Sequence, residues 1–98
     1  MDIKSQLQAE LIAAMKSGDT VTRDTLRMVT SALKNDEISR GATLTDEQSI
    51  EVIAREAKRL KEAMAEFQTA GRNDLVEQYA QNVNVITKYL PEQASDEE

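Results

Sequence analysis

With no Cys, no His and no Trp among its 98 residues, the chain can do chemistry only with carboxylates, Lys, Tyr, Ser and Thr. A thiol nucleophile, an imidazole base, a Ser-His-Asp triad and a Cys/His zinc site are excluded, because each needs a residue type the chain lacks. Glu47/Glu51 and Glu62/Glu66 have the i,i+4 spacing at which two carboxylates can share a divalent metal. Di-metal helical bundles place a His three residues after such a Glu, and there is none here. These pairs therefore read as a solvated helix face. The three glycines are isolated, so no phosphate-cradling loop or dinucleotide fingerprint is present. No catalytic, cofactor-binding or metal-binding residue is expected.

The cations offer more. Arg23, Arg27 and Lys34 fall within roughly 40° of one another on a helix, with Thr30 on the same line. Guanidinium and ammonium groups around a hydroxyl suit contacts to phosphate oxygens. The plainer reading is a solvated strip whose long stems cover apolar surface. Arg55, Lys58 and Arg59, with Lys61 beside them, form a second cluster in one dimension. On the helical wheel Glu51, Glu62 and Glu66 interleave with these residues. Glu51–Arg55 and Lys58–Glu62 are expected as i,i+4 pairs, which weakens the field of that face. The candidate nucleic-acid-binding residues are thus Arg23, Arg27, Lys34, Arg55, Lys58 and Arg59. Phe67, Tyr79 and Tyr89 read as core or near-core, so stacking on bases is not supported.

The elements that carry these residues are marked by sparse punctuation. Gly occurs only at 18, 41 and 71, and Pro only at 91. Between them apolar residues recur every three or four positions, the period of a buried helix face. The first helix is predicted from about 2 to 17, capped by Asp2, with Ile3, Leu7, Leu11, Ala14 and Met15 inward. The second runs from 19 or 20 to about 39 with Leu26, Val29 and Leu33 inward. Val21, Met28 and Ala32 widen its face. The third opens at a capping box, Thr45-Asp46-Glu47-Gln48, and carries Ile50, Ile53, Ala57, Leu60, Met64 and Phe67 to Gly71. The fourth starts near 73 or 74, with Leu75, Tyr79, Val83, Ile86 and Leu90 on one face, and stops at Pro91. No stretch alternates strictly enough to be a strand. The expected fold is all-α, a small array of about four helices joined by short turns.

Ile, Leu, Val and Phe make up 21 of 98 residues, so the core is thin. The net charge is −6, the opposite sign to most non-specific nucleic-acid binders. It is unevenly spread: residues 1–40 sum to zero and residues 41–98 carry all of it. No apolar run is long enough to span a membrane, and the first residues lack the basic-then-apolar order of a signal peptide. A cytoplasmic location is the default expectation. Residues 1–91 read as one helical domain. Residues 92–98 form an acidic tail in which Ser95-Asp96-Glu97-Glu98 repeats the capping-box pattern, so a second helical domain is expected to begin there.

Several segments together resemble the YqeY family. They are Arg23-Asp24-Thr25-Leu26-Arg27-Met28-Val29, Ser31-Ala32-Leu33-Lys34-Asn35 and Glu37-Ile38 on the second helix. Arg55-Glu56-Ala57-Lys58-Arg59 and Phe67 follow on the third. Gly71-Arg72-Asn73-Asp74-Leu75-Val76 and Tyr89-Leu90-Pro91-Glu92-Gln93 complete the series. The resemblance covers nearly the whole chain and implies the N-terminal helical domain of a two-domain protein. Members of the family are similar, in a C-terminal domain, to the tail of the GatB subunit of the tRNA-dependent amidotransferase. The resemblance therefore implies an accessory role in tRNA binding or amidotransferase-type metabolism, with tRNA as a partner of the longer protein. It implies no catalytic residue. The alternative is a protein-interaction or structural module with no nucleic-acid role. A third reading, a carbon–nitrogen ligase using glutamine as nitrogen donor, lacks an activated nucleophile and a phosphate site.

Overall fold

The computed structural model describes residues 2–91, and the expected tail with its second capping box lies outside the described residues. Four helices follow one another: α1 (Ile3–Ser17), α2 (Thr20–Arg40), α3 (Asp46–Thr69) and α4 (Asn73–Thr87). Among the described residues there is no strand. The fold is the all-α array that the apolar period predicts.

Local chemistry sets the boundaries. The Ser5 backbone N–H donates to the Asp2 carboxylate at 2.7 Å, satisfying one of the donors that a helix start leaves open. The α1–α2 turn is two residues long. Gly18 sits at φ 77°, a left-handed conformation that costs glycine little. Asp19 then accepts from the backbone and the hydroxyl of Thr22 and caps α2. The predicted capping box of α3 is complete. Gln48 N–H donates to Thr45 Oγ1 at 3.1 Å, and Thr45 N–H donates to Gln48 Oε1 at 3.0 Å.

Helix α2 packs against α1, α3 and α4, and the α3–α4 hairpin closes the core. Leu7, Leu26, Val29, Ile53 and Ile86 meet at its centre with almost no exposure. A hydroxyl-to-amide hydrogen bond ties α2 to α4 inside the fold, from Thr25 Oγ1 to Asn82 Oδ1 at 2.9 Å. Phe67 and Tyr79 meet edge to face with ring centroids 5.1 Å apart, joining the distal halves of α3 and α4.

Three details differ from the expectation. Met15 is exposed rather than inward, because Leu7, Leu11 and Ala14 already fill the contact with α2. The buried face of α3 is rotated toward Ser49, Val52 and Glu56, while Ile50, Met64 and Phe67 stay only partly covered. The reason is that α3 is contacted by α1, α2 and α4, so one narrow stripe does not describe it. Helix α4 ends at Thr87, three residues before the predicted stop. Proline disfavours helical backbone at the preceding residue, and the chain tightens into i→i+3 bonds at Tyr89 and Leu90.

Candidate functional site

Helix α2 positions the first group of predicted cations. Its core row of Leu26, Val29 and Leu33 faces inward, which leaves Arg23, Arg27, Thr30 and Lys34 on the flank beside α1. Arg23 is engaged: its Nε donates to the neighbouring Asp24 at 2.9 Å. Thr30 spends its hydroxyl hydrogen on the Arg27 carbonyl at 3.0 Å. The charged ends of Arg27 and Lys34 have no ion-pair or hydrogen-bond partner among the described residues.

The second group sits elsewhere. Arg55 reaches across to Asp36 of α2 at 3.7 Å, and Asp36 also accepts from Arg40 at 2.7 Å. Arg59 donates to Glu56 at 3.2 Å, and Glu56 is only 7% exposed. The expected Glu51–Arg55 and Lys58–Glu62 pairs do not form. Arg55 prefers the carboxylate of the adjacent helix, and Lys58 has no ion-pair partner among the described residues. A polar cleft of about 260 Å³ lies between α2 and α3, lined by Asn35, Asp36, Ser39, Arg55 and Arg59. Asp36 and Glu56 neutralise it. The six predicted cations are therefore not brought together. They lie on opposite flanks of α2, and two of the three on α3 serve structural pairs.

Sequence reasoning missed a groove. It runs between α1 and α2 with a volume of about 240 Å³. Leu7 and Leu33, both almost fully buried, form its floor, Lys4 and Gln8 one rim, and Thr30, Lys34 and Glu37 the other. The large apolar residues exposed among those described also lie on α1 and α2: Ile12 at 43%, Met15 at 52% and Ile38 at 70%. Met15 continues the α1 rim seven residues beyond Gln8, and Ile38 continues the α2 rim four residues beyond Lys34. The signal was present in the sequence. Ile12 stands off the Ile3–Leu7–Leu11–Ala14 row, and Ile38 stands off the Leu26–Val29–Leu33 row.

Two carboxylates organise the ends of this region. Glu37 takes the Lys4 ammonium and also accepts the Leu44 backbone N–H at 3.0 Å. The Lys4 hydrogen bond first, and the Leu44 bond second, hold its pKa below the ordinary carboxylate value. On the other side of α1, Glu10 accepts the phenolic hydrogen of Tyr89. Burial, with the Glu10 bond and charge behind it, raises the Tyr89 pKa.

No three acidic side chains among the described residues sit close enough to hold a metal ion. Among the described residues no helix is long and apolar enough to cross a membrane.

Comparison with known proteins agrees with the resemblance seen in the residues. A family model described as Yqey-like protein matches residues 4–98. The chain is similar to "Altered inheritance of mitochondria protein 41, mitochondrial" of Clavispora lusitaniae, at 34% identity over 96% of this chain and 56% of that protein. The protein of the same name in Candida glabrata is 31% identical over 88% of this chain and 48% of its own length. A Schizosaccharomyces pombe protein named only as uncharacterized is 26% identical over 97% of this chain and 77% of its own. The chain spans about half the length of the mitochondrial relatives it matches. Their names overturn the expectation of a cytoplasmic location. That expectation rested on a missing signal-peptide pattern, and the absence of one export signal does not assign a compartment.

Proposed function

The chain belongs to the YqeY family, and from that premise we propose that this helical domain is a protein-docking module without catalytic chemistry of its own. The observation that carries the reading is the exposure of Ile12, Met15 and Ile38 on the two helices that border an apolar-floored groove. Large apolar side chains left exposed on adjacent helices are what an interface can cover. The names of the relatives describe no reaction.

A second reading is favoured by one specific observation. Arg27 and Lys34 have no partner among the described residues, and cations free of acids suit phosphate oxygens. This supports an accessory role in tRNA binding or amidotransferase-type metabolism for the longer protein, as the resemblance to the GatB tail implies. Three considerations weigh against it as the leading role. The net charge is −6, the cations are split between two flanks, and the exposed apolar residues contribute nothing to a phosphate backbone. The carbon–nitrogen ligase reading has least support, since the Thr22 hydroxyl that meets the Asp19 carboxylate in one of the described clefts belongs to the cap of α2.

The test is affinity capture from cell lysate with and without nuclease, using the natural full-length protein and its I12S/M15S variant. The docking reading expects a protein partner that survives nuclease and is lost with the variant. Capture that disappears with nuclease treatment, and is insensitive to the variant, favours the RNA reading and overturns the docking one.

A further inference from the structure

We infer that the seam between α2 and α3 binds a small carboxylic acid with an apolar body, its carboxylate on Arg55 and Arg59 and its body against Met28 and Tyr79. This site is separate from the docking surface, which lies on α1 and the other flank of α2.

Two hollows adjoin in this seam. The polar cleft of about 260 Å³ lies between α2 and α3. Beside it a hollow of about 230 Å³ is lined by Met28 of α2, Leu60 and Ala63 of α3 and Tyr79 of α4. Glu56 and Arg59 line both, so the two hollows share a wall. A polar half and a largely apolar half thus lie side by side, with Arg59 at the join. Met28, Ala63 and Tyr79 are half-buried and keep part of their surface open. The Tyr79 ring is steadied by its edge-to-face contact with Phe67. An apolar wall with a few convergent polar groups is the usual make-up of a small-molecule site.

The polar half has donors to spare. Asp36 gives its two oxygens to different arginines, Oδ2 to Arg40 at 2.7 Å and Oδ1 toward Arg55 at 3.7 Å. Glu56, whose side chain is 8% exposed, turns both oxygens to Nη1 of Arg59, at 3.2 and 3.4 Å. A guanidinium carries five N–H donors. At 3.7 Å Arg55 makes no hydrogen bond to Asp36, and Arg59 engages only one nitrogen. The side chains of Asn35 and Ser39 have no partner among the described residues. The acids are occupied and the donors are not, so the group that suits this half is an oxyanion. The same two acids tether the arginines, which reduces the side-chain freedom that binding would cost.

Charge and shape select a carboxylate. Asp36 and Glu56 balance Arg55 and Arg59, and Arg40, which shares Asp36, leaves one positive charge over. A single carboxylate closes that charge, and it is planar, as a guanidinium fork requires for two parallel bonds. A phosphate monoester would bring more negative charge than the site can match, close to Asp36 and Glu56. A nucleic acid would carry its charges past the exposed Glu51 and Glu62 of the same helix, on a chain of net −6. Its backbone has nothing to set against Met28 and Ala63.

The experiment titrates the isotope-labelled full chain at about pH 7, where a carboxylic acid is ionised, and follows the amide NMR shifts. The probes are hydrocinnamate, its uncharged amide, acetate and inorganic phosphate. Hydrocinnamate is expected to shift the Asn35 side-chain amide and the backbone amides around Arg55, Arg59 and Ala63. A dissociation constant on the order of 1 mM is expected, about tenfold tighter than that of acetate or of the amide. R55Q is expected to weaken hydrocinnamate about tenfold. A63L fills the apolar hollow and leaves the arginines in place, so it is expected to bring hydrocinnamate down to the affinity of acetate. Helical circular dichroism should be unchanged in both variants. Equal affinity for hydrocinnamate and its amide, unchanged affinity in R55Q, or shifts confined to residues outside the seam overturns the inference. So does the absence of any shift at concentrations on the order of 10 mM. Phosphate bound more tightly than hydrocinnamate, with A63L indifferent, overturns the carboxylate assignment. Binding of tRNA that R55Q abolishes, with no carboxylate bound, assigns the arginines to RNA instead. The capture experiment with I12S/M15S touches none of these residues, so this site and the docking reading fail separately.

Discussion

Tyr89 and Glu10 are 79 positions apart, and the phenol of one donates its hydrogen to the carboxylate of the other. This bond fastens the turn after α4 to the middle of α1, two elements that otherwise have little direct contact. Tyr89 is buried, and its pKa is raised, by burial first and then by Glu10. The folded chain thus holds Tyr89 protonated at a pH where the unfolded chain has lost the proton. The contribution is fully present below the unfolded value of about 10, and it is lost as pH rises from there toward the folded value. Thermal unfolding at pH 8 and at about pH 11 should show a fall in Tm for the wild type and a smaller fall for Y89F. At neutral pH Y89F should cost about 1 kcal/mol, the net worth of one hydrogen bond.

The acid limb turns on Glu37. Its pKa is held below the ordinary carboxylate value by Lys4 and then by Leu44, and Asp2, Asp19 and Asp74 are lowered by their own backbone and side-chain donors. For each, the folded state binds its proton more weakly than the unfolded state does. Their stabilisation is therefore present above about pH 4 and is lost as pH falls through the folded values. The urea midpoint should drop between about pH 5 and pH 3. E37Q should start lower at pH 7 and drop less. An E37Q curve parallel to wild type would show that Glu37 does not couple α1 to the loop before α3.

The order of elements was legible because punctuation and period agreed. Gly18, Gly41 and Gly71 fall at helix ends with positive φ, and Thr45–Gln48 forms both arms of its box. What the sequence concealed were contacts between distant segments. The row Leu75, Tyr79, Val83, Ile86, Leu90 keeps a helical period to its last member, yet the helix stops at Thr87. Periodicity does not reveal that Tyr89 has a partner in α1. The cations behaved likewise. Arg55 looked like a partner for Glu51 because a sequence shows only spacings within one helix, here i,i+4, and Asp36 on a neighbouring helix won. Of the candidate site, Arg27 and Lys34 were visible as residues. The groove that Lys34 lines was not, because it needs the approach of α1.

Thr25 and Asn82 supply an internal test of the packing between α2 and α4. The Thr25 hydroxyl is reached from two sides, with the Val21 carbonyl at 2.8 Å and Asn82 Oδ1 at 2.9 Å. A hydroxyl has one hydrogen, so it donates to one acceptor at a time, or accepts from the Asn82 amide if that amide is turned. T25V keeps the shape, removes the hydroxyl and leaves the Asn82 amide half-buried without its partner. A loss of about 1–2 kcal/mol in urea unfolding is expected. N82L should cost less alone, and T25V/N82L should cost less than the sum of the two, because removing both polar groups avoids leaving one orphaned. Strict additivity would show that the bond carries no coupling.

The six predicted cations divide by what they hold, and stability should divide them in the same way. Arg59 pairs with the buried carboxylate of Glu56, and Arg55 joins α3 to α2 through Asp36. Reversing both charges in R55E/R59E sets four carboxylates against one another at the α2–α3 seam and strands Glu56 among them. A loss of about 1–3 kcal/mol is expected, the range for an unpaired charge that is partly buried. Arg27 and Lys34 have no partner to lose among the described residues, so R27E/K34E should stay within about 0.5 kcal/mol of wild type. Chemical denaturation of the two double variants side by side makes the comparison. If R27E/K34E unfolds as readily as R55E/R59E, the α2 cations serve the fold, and the solvent-facing strip beside α1 is structural rather than a binding surface.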